Sequence, residues 1–400
     1  MIFRRLRFWP VYLLLAHVPA MTVMAAPAST AYRPTSDAQV LARVPARSTD
    51  PRARELLALR DAWRRQPQDV TTAVQLATRY FDEVAAEGDP RYVGYAQSVL
   101  QPWWAMAEPP AAVRVLRAQV LQFDHRFAQA LADLDGALRQ QPDLGRAWAW
   151  RTAILMVQAE YTQARRSCEQ MAPHGSALIA TGCLAQVDAA TGRAAAAAAS
   201  LRAALAQQPD ASREERLWCL TRLAETEERL GNGTAAEAAF RQALALGTAD
   251  VYLQAAYADF LLDRGRAADV MALLKGRGRA DVLLLRQAIA AQAAADPTAA
   301  TLVQELAARF AAAKLRGDTS HQKEESRFVR ALQGDAPRAL ALAQQNFAVQ
   351  REPADARILL EAALAARNAA AAGPALAWLD SSGIESVSLR ALAAQIKGLK

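Results

Sequence analysis

The sequence predicts an all-α fold: a right-handed α-solenoid of stacked antiparallel helical hairpins. Three observations point to it. Hydrophobic residues make up 52% of the 400 residues but aromatics only 6%. The apolar fraction is mostly alanine and leucine, strong helix formers, and the β-branched and aromatic residues that favour strands are thin. A repeat is present: Pro142 and Pro209 close the phrases ALRQQPD and ALAQQPD, and the same residue classes precede each proline at the same offsets. Turn signals then divide the chain at regular intervals, as at Asp50-Pro51, Gly88-Asp89-Pro90 and Asp296-Pro297.

The repeat is carried by small and large apolar residues in alternation. Ala130, Leu134 and Ala137 precede Pro142, and Ala197, Leu201 and Ala204 precede Pro209. A copy between them has Ala164, Cys168 and Met171, a later one has Ala236, Phe240 and Ala243, and a looser one has Val270 and Leu274. The steps along the first series are 34, 33, 39 and 34 residues, the long one absorbing an insertion around Pro209-Asp210-Ala211-Ser212. Alanines let paired helices approach closely, large residues fill the space between neighbours, and proline stops the second helix. One hairpin cannot bury its apolar face alone, so each must stack on the next.

Taken in order, residues 1–25 read as a signal peptide. Arg4, Arg5 and Arg7 precede an apolar run from Phe8 to about Met24, and small residues follow, with cleavage after Ala25 or Ala28. Pro10, His17 and Pro19 interrupt the run, so no stable membrane span is expected after cleavage, and the periplasm is the expected location. Residues 26–49 read as a loose arm with a short helical turn near residues 37–43. Residues 50–110 read as degenerate helical repeats. There, Asp50-Pro51 opens a helix to about Arg65, and Leu76, Ala77 and Tyr80 mark the next. Asp89 is then N-cap and Pro90 first residue of a helix completed by Ala96 and Leu100. Residues 111–278 form the regular array. Residues 279–400 read as degenerate repeats, with helices from Asp296-Pro297 to about Arg316, around 338–346, and near 354–366, 373–379 and 388–397. About nine hairpins result.

Within the array, one copy supplies Trp148, Thr152, Leu155, Tyr161 and Ala164. A second supplies Leu223, Ala224, Gly231, Ala236, Phe240 and Ala243, and a third Tyr257, Ala258, Leu261 and Gly265. This resembles the tetratricopeptide repeat, W-x2-L-G-x2-Y followed by A-x3-F, A and P over 34 residues. The resemblance implies a superhelix whose first helices line a concave face, and a role in assembling complexes or holding extended peptides. The partner-facing stripe of first helices then comprises Val115, Gln119, Gln122, Ala153, Met156, Gln186, Glu225 and Asp259. The family's clamp for peptide carboxylates uses lysines and asparagines on first helices. Lysine is nearly absent there in this chain, so binding of chaperone tails is not implied.

The formal charge is +7. Removing Arg4, Arg5 and Arg7 leaves +4 (7 minus 3), which is mild for this length. No clustered basic face is evident, so nucleic acid is not an expected partner. The densest basic stretch, Lys275-Gly276-Arg277-Gly278-Arg279, reads as a turn between hairpins. No catalytic, cofactor or metal signature emerges. The four histidines are scattered, and no H-E-x-x-H, phosphate loop, G-x-S-x-G or C-x-x-C occurs. The expectation is a non-catalytic scaffold without cofactor, binding a protein or extended peptide. The alternative is an accessory or maturation factor of an envelope enzyme or transport system with weak activity of its own.

Further positions stand out in pairs, with one cysteine left over. Trp103 and Trp104, between Pro102 and Pro109, are a candidate aromatic contact, although plugging the gap between hairpins suits them better. Arg117 and Arg151 occupy equivalent first-helix positions and are candidate anion contacts, with pairing to nearby helix carboxylates the simpler role. Asp133 and Asp135 read as helix-surface charge. Cys168, on a second helix, and Cys183, on the next first helix, sit about equally far from the turn near Pro173-His174-Gly175. That places them at similar height and predicts a disulfide. Cys219 is expected to be free and buried.

Overall fold

The computed structural model describes residue 36, residues 50–317 and residues 321–399. The expected signal peptide and almost all of the expected arm, including the short helical turn near residues 37–43, lie outside the described residues. Helix makes up 78% of the described residues, and no strand occurs among them. Arg52–Lys400 form one compact unit.

The helices begin with α1 (Pro51–Arg65), α2 (Val70–Glu87), α3 (Arg91–Val99) and the short α4 (Gln101–Trp104). Hairpins follow: α5 (Ala111–Phe123) with α6 (Phe127–Gln140), α7 (Gly145–Val157) with α8 (Tyr161–Met171), and α9 (Ala177–Ala190) with α10 (Ala194–Gln207). Next come α11 (Arg213–Arg229) with α12 (Gly233–Ala245), α13 (Val251–Leu262) with α14 (Ala267–Leu273), and α15 (Asp281–Ala293) with α16 (Ala299–Leu315). The chain ends with α17 (Gln322–Phe328), α18 (Ala336–Val349), α19 (Pro353–Ala365), α20 (Gly373–Ser382) and α21 (Val387–Lys397).

Local chemistry sets the helix ends. Asp69, Ser176, Asp250, Asp335 and Ser386 each accept a backbone N–H from the first turn of the helix they cap. Ser212 and Glu215 form a reciprocal capping box at α11. Losing one such cap costs about 1 kcal/mol. The second helix near Pro90 starts one residue later than the sequence suggests. Proline has no N–H to cap, so the Asp89 carboxylate reaches Arg91 N at 3.0 Å instead.

Between the two helices of each hairpin the backbone turns through the left-handed region. The turning residue is His125, Ala159, Gly192, Gly231 and Gly265 in five successive hairpins, again at steps of 34, 33, 39 and 34. Ala295 and Arg367 do the same farther on. A side chain at positive φ is costly, so glycine is the natural occupant. His125, Ala159, Ala295 and Arg367 depart from it.

The core is built from the repeat positions. Ala130, Leu134 and Ala137, and likewise Ala197, Leu201 and Ala204, are buried. Phe240 is fully buried and meets Tyr257 and Phe260 at centroid distances of 5.3 and 5.5 Å. Gly182 lets α9 and α11 touch: a Cβ there would lie 2.9 Å from Cys219 Sγ and still closer to the Trp218 ring. Cys168 and Cys183 are joined as a disulfide, with Cα atoms 5.6 Å apart. Cys219 is free and buried, and burial pushes its thiol up to about 12, so it is inert.

Asp133 corrects the sequence reading. It is buried rather than surface charge, because Arg117 grips both of its oxygens and Arg114 lies 3.7 Å away. Gly136, one turn along α6, leaves the space that the Arg114 guanidinium occupies. Asp135 is the half-exposed partner of Arg151.

Candidate functional site: the inner layer and its seam

The first helices form a continuous inner layer. From α5 through α7, α9, α11, α13, α15 and α17 to α19, each touches the next. Their inner side carries the charge. On α11, Arg222 pairs with Glu225 at 3.1 Å and stacks over Tyr252 of α13, its Cζ 4.6 Å from the ring centroid. The Tyr252 hydroxyl donates to Glu225 Oε1 at 2.5 Å. Half of Tyr252 is exposed (52%), yet burial raises its pKa, with Arg222 opposing and Glu225 and Glu352 reinforcing. The side chain is wetted but surrounded by protein. Lys323 on α17 pairs with the fully buried Asp355 of α19 at 3.4 Å. Asp355 raises the Lys323 pKa more than burial lowers it. Arg229, one further turn along α11, has no carboxylate within ion-pair distance among the described residues, and burial lowers its pKa.

Five of the eight sequence-predicted groove residues keep some exposure: Gln122, Ala153, Gln186, Glu225 and Asp259. Asp259 is already spent, its oxygens 2.5 Å from Arg286 and 2.6 Å from Arg327. Val115, Gln119 and Met156 are a correction. They are buried, because adjacent first helices approach closely enough to cover this stripe, and Val115 belongs to the core between α5 and α6.

The candidate anion contacts are also placed differently. Arg117 is consumed by Asp133 and by the carbonyls of Trp104 and Met106. Arg151 bonds Asp135 at 2.9 Å and Ser167 at 2.6 Å. It lines a cleft of about 560 Å3 beside α6 and α8 with Trp148 and Arg166, on the second-helix side rather than the inner one. Trp103 is buried in the N-terminal core and Trp104 packs against it, so this pair fills space.

The main feature absent from the sequence reading is a seam. Turns between the helices of early hairpins abut links between hairpins that lie about five to six repeats later. Gln350 Nε2 meets His125 Nε2 at 3.1 Å. Arg351 N donates to Val157 O at 2.8 Å. The Trp378 indole donates to the Tyr161 hydroxyl at 3.0 Å, and Ala194 N to Glu385 Oε2 at 2.6 Å. A Cβ on Gly192 would sit 3.1 Å from Gly383 O, and one on Gly231 3.4 Å from Val387. The same contact recurs at the other end, where Gly88 packs against Val251 and Ala280. Arg357 adds a bidentate pair with Asp263, both bonds 2.6 Å. His125 is held neutral, its pKa lowered by burial and then by Lys323. Its departure from glycine at the turn position, shared by Ala159 one repeat later, was the local sequence signal for the seam.

Beside Tyr161 and Trp378 the seam leaves a cleft of about 720 Å3. No metal-ligating cluster occurs among the described residues, and no helix there is long and apolar enough to cross a membrane.

No protein-family model matches the chain, and no curated protein does. Similar solved structures exist. A tetratricopeptide repeat protein from Parabacteroides merdae is 13% identical, with TM-score 0.40, over 63% of this chain and 89% of that one. The APC/C hetero-tetramer Cut9-Hcn1 is 13% identical, with TM-score 0.45, over 82% and 64%. The human IFIT1 dimer with m7Gppp-AAAA is 12% identical, with TM-score 0.45, over 83% and 86%. By its own repeat steps of 33 to 39 residues and the pairing of its helices, the chain is an all-α solenoid of tetratricopeptide-like hairpins.

Proposed function

We propose that the protein is a non-catalytic interaction scaffold of the periplasm that holds a protein segment against the inner side of its first helices. The observation that carries this reading is the Arg222–Glu225–Tyr252 patch. Tyrosine and arginine dominate the energetics of protein interfaces, and here a half-exposed tyrosine is held rigidly by a cation on its face and a carboxylate on its hydroxyl. Arg229 adjoins it without a carboxylate of its own among the described residues. Gln122, Ala153 and Gln186 extend the contact surface along the preceding first helices. The seam supports an extended segment as ligand, since it leaves little room for a folded domain to enter sideways between successive turns. These groups are poorly suited to catalysis, because their donors and acceptors are largely spent on one another.

The disulfide between Cys168 and Cys183 suits an oxidising compartment. Photo-crosslinkers placed at Ala153, on the same surface, and, as a control, at the outward Arg139 test the reading in intact cells. A discrete adduct from position 153 that is lost in Arg222→Glu, with secondary structure unchanged by circular dichroism, is the expected result. Equal labelling from both positions contradicts it.

A further inference from the structure

We propose that the cleft at the seam is a binding site for a small amphiphilic monocarboxylate, its apolar body lying along Ala348, Pro374 and Ala377 over the buried edges of Phe347 and Trp378, and its carboxylate held by Arg351 and the Tyr161 hydroxyl. The site is lined by residues other than those of the inner patch and does not rest on the scaffold reading. Its volume, about 720 Å3, falls in the range of small-molecule sites. Phe347 and Trp378 meet edge to face at 6.3 Å and are almost fully buried, so the floor is rigid and apolar.

Two groups at this cleft can take a negative charge. The Tyr161 oxygen already accepts the Trp378 N–H, so its own hydrogen is left to donate, and it has no acceptor among the described residues. Burial pushes this phenol up to about 12, with Glu352 adding to the rise, so the hydrogen is retained at neutral pH. The Arg351 side chain is exposed, lines the same cleft and has no carboxylate partner among the described residues. Its position is fixed from behind, because its backbone N–H is tied to Val157 O, four residues before Tyr161. An unpaired guanidinium and an unspent hydroxyl lining one cleft, over an apolar floor, make a carboxylate head site with a hydrophobic tail site.

A peptide suits the cleft less well. Its backbone groups would need partners, and the two serines at the rim are taken. Ser381 Oγ donates to Trp378 O, and Ser382 Oγ donates to Leu379 O and accepts from Ile384 N. Apart from Gln344 the rest of the wall is alanine, proline, leucine and aromatic surface, so most of a peptide's amides would be left without a partner while an alkyl chain is unaffected.

Calorimetric titration of the full chain with decanoate, decan-1-ol and acetyl-Ala-Ala-Phe amide, which has no carboxylate, tests this. The expected result is saturable one-to-one binding of decanoate, at least ~10-fold tighter than the alcohol, as a charge-assisted hydrogen bond implies. Arg351→Gln, a change at an exposed side chain, should weaken decanoate by about the same ~10-fold. Ala377→Trp, which fills the cleft from its exposed rim, should abolish it. Absence of saturable decanoate binding overturns the proposal, as does equal affinity for the alcohol. Unchanged affinity in either folded variant, or tighter binding of the peptide, does so too.

Discussion

The central hairpins and the seam are held together by different kinds of contact. Between neighbouring hairpins the contacts are apolar, local and periodic. Leu134, Cys168, Leu201 and Phe240 hold the same position in successive second helices, and all are fully buried. Across the seam the contacts are mostly polar, about 90 to 230 residues apart in sequence, and no two are alike: an amide on an imidazole, an indole on a phenol, a carboxylate on a backbone N–H, a guanidinium on a carboxylate. Stacking needs only that each repeat resemble the next. Closing one turn of hairpins onto another needs particular side chains at particular turns.

The difference predicts how each region responds to damage. Phe240→Ala, in the central stack, should cost about 3–5 kcal/mol, and urea unfolding should show it as a shifted midpoint. Its aromatic neighbours Tyr257 and Phe260 are held by the surrounding helices and cannot collapse into the void. Replacing Cys168 and Cys183 by serine should cost about 3 kcal/mol for the 15-residue loop they close. A thiol count on denatured, unreduced protein should find one, Cys219. Three would contradict the bridge.

An effect of intermediate size comes from Glu228, near the end of α11. Burial, with Asp263 and Glu225 nearby, raises its pKa to about 7 from 4.5. The folded protein then binds this proton more tightly than the unfolded chain, so stability falls as pH rises between those values. Glu228→Gln cannot ionise. It should be more stable than the wild type by about 1–3 kcal/mol above pH 7, with the gap closing toward pH 4.5. A gap that grows on acidification would contradict the assignment.

The smallest effect belongs to the seam. Arg357→Ala removes the bidentate pair with Asp263, and both side chains are partly solvated. Global stability should fall by less than about 1 kcal/mol. Hydrogen exchange should nevertheless speed up over residues 350–390 while the amides of α9 keep their protection. Equal acceleration in both regions would mean that the seam and the stack open together.

This division also sets what could be read in the sequence. Recurring alanines and large apolar residues reveal hairpins because every copy obeys the same steric demand, and the paired cysteines could be placed because the short link between α8 and α9 fixes their heights. The burial of Val115, Gln119 and Met156 depends on how tightly adjacent first helices approach. The pairing of Arg117 with Asp133 depends on which rotamers the neighbouring hairpins permit. The seam depends on superhelical pitch, a small rotation accumulated over many hairpins, which no single repeat encodes. His125 and Ala159 held the only local trace. Each accepts a left-handed backbone where the neighbouring repeats use glycine, and each touches the C-terminal helices.

The most direct test of closure is the exchange rate of one amide. Arg351 lies outside every helix, and its N–H has a single acceptor, the carbonyl of Val157 at 2.8 Å. If the turns meet as described, this amide exchanges at least about a thousand-fold more slowly than an unstructured one, an opening free energy of ~4 kcal/mol. Exchange at the unprotected rate, with α7 and α18 on either side still protected, would show that the hairpins stack but the seam does not close.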